Sequence, residues 1–117
     1  MTNEKVYSMP FGRVYACLIA KVERKGRTRA ELDCATQWLT GYAPAEIRRC
    51  MEDGTTYGDF FRRAPGMNPN RSRIRGVVCG VRVEEIREPL MREIRYLDKL
   101  VDELAKGRPL EKILRSE

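Results

Sequence analysis

Apolar residues recur at three- and four-residue steps along most of this chain. Val14, Leu18 and Val22 lie four apart within Phe11 to Lys25, thickened by Tyr15 and Ile19, with Lys21, Glu23, Arg24 and Lys25 mostly turned to solvent. That period predicts an amphipathic helix, stopped by Gly26. Leu32, Ala35, Trp38 and Leu39 form the stripe of a second helix that runs to Thr40. Thr28, with Glu31 three residues on, has the form of a capping box at its start, and Gly41 suits the left-handed position after its end. Pro44 then fits the first position of a third helix, with Glu46 in its first turn, Ile47, Cys50 and Met51 inward and Gly54 at its end. Thr56 caps a short fourth helix carrying Tyr57, Phe60 and Phe61, broken by Pro65 and Gly66.

Beyond the loop "GMNPNRS" the pattern becomes ambiguous. Ile74, Val77 and Val78 fit helical spacing, so Ser72 to Cys79 reads as a fifth helix stopped by Gly80. The competing reading is a strand over Val77 to Val83, but one isolated strand has nothing to pair with. One helical turn is expected over Val83 to Arg87. Pro89 then opens the longest helix, to Lys106, on Leu90, Ile94, Leu97, Val101 and Leu104; Gly107 ends it, and Pro109 opens a last short helix with Leu110, Ile113 and Leu114 as its docking face. Met1 to Pro10 reads as a loosely docked arm pinned by Val6, Tyr7 and Met9. An offset of 39 residues brings Gly41 onto Gly80, Glu46 onto Glu85, Ile47 onto Ile86, Arg48 onto Arg87, Tyr57 onto Tyr96 and Asp59 onto Asp98. The sequence therefore implies an all-α fold. It is expected to be a single compact orthogonal helical bundle of six or seven helices over residues 1–117, with two glycine-cornered helix-turn-helix units.

Composition narrows the chemistry. The 117 residues carry no histidine, which removes Ser-His-Asp and Cys-His catalysis and His-ligated metals. Cys17, Cys34, Cys50 and Cys79 contain no CxxC pair and sit among apolar neighbours, so they are expected to be reduced, buried thiols and not a zinc site. The apolar run Val14 to Ala20 is far short of a membrane span, and a secretory signal is not expected. The expectation is a cytoplasmic protein with no membrane association, no metal and no cofactor.

Formal charge is +6, from 23 basic and 17 acidic residues. From Phe60 to Val83 stand six arginines and no acid. Arg71, Arg73 and Arg75 flank the expected start of the fifth helix, where backbone N–H groups and the helix dipole favour an anion. Arg62, Arg63, Asn68, Asn70 and Ser72 complete the candidate anion- or partner-binding set. The bland alternative is a solvated turn whose arginines pair with acids elsewhere in the fold. Three further readings compete. The Thr28–Asp53 helix-turn-helix could read DNA, though Pro44-Ala45-Glu46 is a poor start for a recognition helix. Glu84, Glu85 and Asp98 could serve a carboxylate or metal enzyme, but Arg82, Arg87, Arg92 and Arg95 interleave as in a salt-bridged surface. The Leu90–Leu104 stripe admits a homodimer, although a core-facing helix gives the same pattern.

The stretches "KGRTRAELDCATQWLTGY", "DFFRRAPGMNPNRS", "GVVCGVRVEEIREPLMREIRYLDKLVDELAKG" and "LEKILR" resemble the small bacterial family catalogued as domain of unknown function 2200. The resemblance runs from about Val6 to Arg115. It implies a compact all-α domain in a bacterial cytosolic protein and carries over no catalytic residue, cofactor or substrate. The reading from residues and resemblance together is a binding module and not an enzyme. Its basic surface around residues 62–75 would meet an acidic protein, nucleic acid or another polyanion.

Overall fold

The computed structural model describes residues 3–115. Helix α2 (Phe11–Arg24) buries Phe11, Tyr15 and Val22. Thr28 caps α3 (Arg29–Thr40): its hydroxyl accepts from the Glu31 N–H, and the Glu31 carboxylate accepts from the Thr28 N–H. Gly41 ends α3 in the left-handed region, at φ 82°. Helix α4 (Pro44–Glu52) starts on its proline, with the Glu46 side chain taking the Ala43 N–H at 2.9 Å. Thr56 caps α5 (Tyr57–Arg62), and α6 (Pro89–Ala105) is the long helix, followed by α7 (Leu110–Ile113). With α1 (Asn3–Tyr7), seven helices are present among the described residues, and the protein is predominantly helical.

The core lies where α6 meets α2, α3 and α5. Leu97, Leu100 and Leu104 of α6 and Leu32 and Leu39 of α3 are fully buried. Next to them is an aromatic stack. Phe11 and Phe60 lie 3.9 Å apart by centroid, and Tyr42 and Phe60 4.4 Å, with Tyr15, Tyr57 and Phe61 around them. Under this stack the Tyr15 hydroxyl donates to Asp33 at 2.7 Å and sits 3.0 Å from the Thr36 hydroxyl, so a buried carboxylate is satisfied inside the bundle. The first ten residues, read as a loose arm, include α1, whose Tyr7 is buried, and Pro10 forms a bridge with Thr56.

The segment after α5 departs from expectation. In place of a fifth helix at Ser72–Cys79, a 3-10 turn spans Pro69–Arg73. A β-hairpin follows, with β1 (Val77–Val78) antiparallel to β2 (Val81–Arg82). Cys79 (φ 53°) and Gly80 (φ 78°) are its two turn residues. Two left-handed residues in succession are the signature of a type I′ turn, whose twist matches that of paired strands. The strand that lacked a partner pairs with itself across two residues. A 3-10 turn, Val83–Glu85, leads from it toward α6. The second helix-turn-helix corner is therefore absent. Gly41 ends a helix whereas Gly80 turns a hairpin, so the 39-residue likeness is not a structural repeat. The cysteine expectation also needs correction. All four are free, but Cys17 and Cys79 are exposed and Cys34 and Cys50 are half-buried. Cys79 is exposed because it occupies the tip of the hairpin.

Candidate functional site

The arginine-rich stretch divides in three dimensions. Arg62 and Arg63 close α5 and both reach back to Asp59, at 3.0 and 3.5 Å, and Arg62 also lies 5.6 Å from the centre of the Tyr7 ring. Arg71 donates to Glu93 of α6 at 3.0 Å and to the Asn68 carbonyl at 2.8 Å. The Asn68 side chain takes the Asn70 N–H at 2.8 Å. Arg62, Arg63, Asn68 and Arg71 are thus engaged within the fold. The helix start proposed as an anion seat is a five-residue 3-10 turn whose start is already capped by Asn68. Ser72 and Arg73 at its end and Arg75 just beyond it are exposed, and neither arginine is ion-paired among the described residues.

Two concave surfaces flank the base of the hairpin. One, of about 440 Å³, is lined by Ser72, Ile74, Arg75, Glu84, Arg92 and Tyr96. Arg92 and Tyr96 stand one turn apart on α6 and so share a face. The Arg92 Nε donates to the Ile86 carbonyl at 2.7 Å, which fixes the guanidinium at the cleft wall. Tyr96 is buried, which pushes its phenol up. Glu84 accepts the Gly76 N–H at 3.0 Å, and that bond holds its carboxyl below the usual range. Glu84 is therefore the internal counter-charge of an otherwise basic cleft.

The other surface, a groove of about 620 Å³, is lined by Val77, Gly80, Val81, Arg82, Glu85 and Ile86. Val77 and Val81 are 50% and 42% exposed, the two large apolar side chains in the open among the described residues. Val77 pairs across the hairpin with Arg82, so a valine and a guanidinium share one face. Cross-strand burial would hide such residues in a larger sheet; a two-stranded hairpin has no second layer to do so.

The competing constellations resolve differently. Glu84 and Glu85 line separate surfaces, and Asp98 is bonded to Arg95 at 2.8 Å, so the three carboxylates do not converge. Among the described residues no group of three Cys, Asp or Glu side chains is placed to hold a metal. On α4, Arg48 and Arg49 are exposed, but so are Glu52 and Asp53. A small recess of about 240 Å³ beside Asp33, Cys34 and Arg48 has its carboxylate committed to Tyr15 and, at 3.5 Å, to Arg29.

Reading the sequence alone missed Arg92, Tyr96, Val77 and Val81. The first two carried a signal in their four-residue spacing. The valines carried one only in the alternation of Val77 to Val83, a strand reading set aside because no partner strand was in view.

A family model described as an uncharacterized protein conserved in bacteria, DUF2200, matches residues 5–115. The chain belongs to this family. It is also similar to a solved structure titled "Crystal structure of uncharacterized protein SP1917", with 52% identity and a TM-score of 0.92 over 97% of this chain and 93% of that one. Among curated proteins none matches. For this DUF2200 chain, then, the relatives establish family and fold, and function has to be argued from the surface itself. No helix among the described residues is long and apolar enough to cross a membrane.

Proposed function

We propose that this protein is a non-catalytic binding module whose hairpin face takes an acidic protein partner. The observation that carries the reading is the groove that brings exposed Val77 and Val81 together with Arg82, itself only loosely held by Glu84 at 3.9 Å. A groove lined by exposed apolar side chains and a cation suits a protein contact. Glu84 and Glu85 on the same segment would repel a nucleic acid backbone, which favours a partner with discrete carboxylates over a continuous polyanion. Four free thiols support a cytoplasmic setting for this contact.

Fluorescence polarisation tests the reading, with a labelled peptide of alternating glutamate and leucine set against single-stranded DNA. The peptide is expected to bind, and Val77→Ser with Val81→Ser is expected to weaken it about tenfold. DNA binding tighter than the peptide's, or a peptide indifferent to the valine changes, overturns it. Sedimentation is expected to return a monomer. A dimer abolished by those two substitutions would assign the face to a second copy instead.

A further inference from the structure

Resting on that reading of the hairpin face, we propose that the neighbouring cleft of Ser72, Arg75, Arg92 and Tyr96 is a seat for a single carboxylate, supplied by a glutamate or aspartate side chain of the docked partner.

The charge balance of the cleft sets the ligand. Arg75 and Arg92 contribute two positive charges and Glu84 one negative, while the nearby Arg71 and Glu93 neutralise each other at 3.0 Å. Arg82 also reaches Glu84, at 3.9 Å from the side of the valine groove, so the cleft is net positive and takes an anion, while Glu84 stands against a second negative charge on that anion. The donors are of the right kind. Arg92 lines the cleft and spends its Nε on the Ile86 carbonyl at 2.7 Å, which leaves its two terminal nitrogens as charged donors. Arg75 has no ion pair, and Ser72 is exposed with a hydroxyl to offer. Tyr96 lines the cleft with a phenol hydroxyl that can donate. Ile74, at 1% exposure, gives the cleft a dry floor that strengthens each of these bonds.

Position links the seat to the docking face. Glu84 lines the cleft and Glu85 lines the valine groove, so consecutive residues divide the two surfaces. An extended partner segment could lay apolar side chains against Val77 and Val81 and place an acidic one in the seat.

Amide and arginine Nε chemical shifts of the whole protein report the seat directly. The probes are N-acetylglutamate α-amide, which carries one side-chain carboxylate, a blocked glutamate–leucine peptide and inorganic phosphate. The monocarboxylate is expected to shift Ser72, Arg75, Arg92 and Tyr96 saturably, and Arg92→Gln to raise its Kd about tenfold. Because Arg92 also holds the Ile86 carbonyl, Arg75→Gln at an exposed position is the second variant, expected to weaken the probe while leaving the spectrum of the core unchanged. Loss of peptide binding in the Val77→Ser, Val81→Ser protein with monocarboxylate shifts retained supports the seat and shows that it stands apart from the docking contact. A peptide that shifts the valine groove and leaves the four cleft residues still overturns the seat and spares the docking reading. Phosphate shifting these four residues at lower concentration than the carboxylate overturns the proposal, as does a carboxylate affinity in both arginine variants equal to that of the unsubstituted protein.

Discussion

Arg27, Thr28 and Glu31 show how much one short stretch can do. Glu31 closes the capping box of α3 and receives both Nε and Nη2 of Arg27, the latter at 2.6 Å. Arg27 then reaches across the molecule to the Leu104 and Arg108 carbonyls, at 3.2 and 2.6 Å, and so supplies donors to the end of α6. The Arg27 guanidinium first, and the Thr28 N–H second, hold the Glu31 carboxyl down at about 2, against an ordinary 4.5. A lowered carboxyl pKa means stability that is complete above the unfolded value and is lost as pH falls toward the folded one. Glu31→Gln should therefore lower the urea midpoint at neutral pH and flatten its dependence between pH 4.5 and about 2. Parallel midpoint curves for the two proteins would refute this. At Tyr15 the concern is burial. Tyr15→Phe removes the 2.7 Å donor to Asp33, a carboxylate only 4% exposed, and leaves it with Arg29 at 3.5 Å. The expected cost is about 1–3 kcal/mol by chemical denaturation.

Among the elements, the hairpin is where local and global preferences disagree. Cys79 takes φ 53°, a region that costs an L residue about 1–2 kcal/mol unless its side chain helps. Asparagine tolerates that conformation, and Asn-Gly is the favoured pair for this turn. Cys79→Asn should accordingly stabilise the protein by about 0.5–1 kcal/mol in urea titration; a loss of stability would show that the thiol makes a contact worth more than the strain. The same residue explains what was legible. Helix ends were readable because their signals are local: a threonine with a glutamate three on, a proline at Pro44 or Pro89, a glycine at Gly41. The turn was not, because its first position holds cysteine where the pattern expects Asn, Asp or Gly. Helix α1 was hidden for another reason. Five residues have little helical propensity of their own, and Asn3–Tyr7 is held by α5, where Gly58 makes room: a Cβ there would come within 2.9 Å of the Tyr7 Cβ. Of the candidate site, Ser72 and Arg75 were in view as part of a basic run. Their meeting with Arg92 and Tyr96 is a tertiary event with no local signal.

For the whole molecule, α6 is the spine to which both ends of the described chain are fastened, each by one glutamate. Near its start Glu88 accepts from Asn3 Nδ2 at 2.5 Å and from the Tyr7 hydroxyl, which ties α1 down. Near its end Glu103 receives Arg115 through both guanidinium nitrogens, at 2.7 and 2.8 Å, and Arg108 at 3.1 Å, which ties the segment around α7. The two clasps are unequal because their surroundings differ. Glu103 is 5% exposed and Glu88 stands in solvent. A buried carboxylate bound by two guanidiniums leaves them without a counter-charge when it is neutralised, whereas an exposed one is replaced by water. Glu103→Gln is expected to cost about 2–3 kcal/mol, discounted from the fully buried case because Arg108 keeps access to solvent. Glu88→Gln should move the urea midpoint less and act locally, raising hydrogen exchange across Glu4 to Ser8 while the amides of α6 stay protected. Equal midpoint losses in the two variants, or exchange that rises along the whole of α6 in Glu88→Gln, would mean that the amino-terminal helix folds as one unit with the spine and is not a clasp upon it.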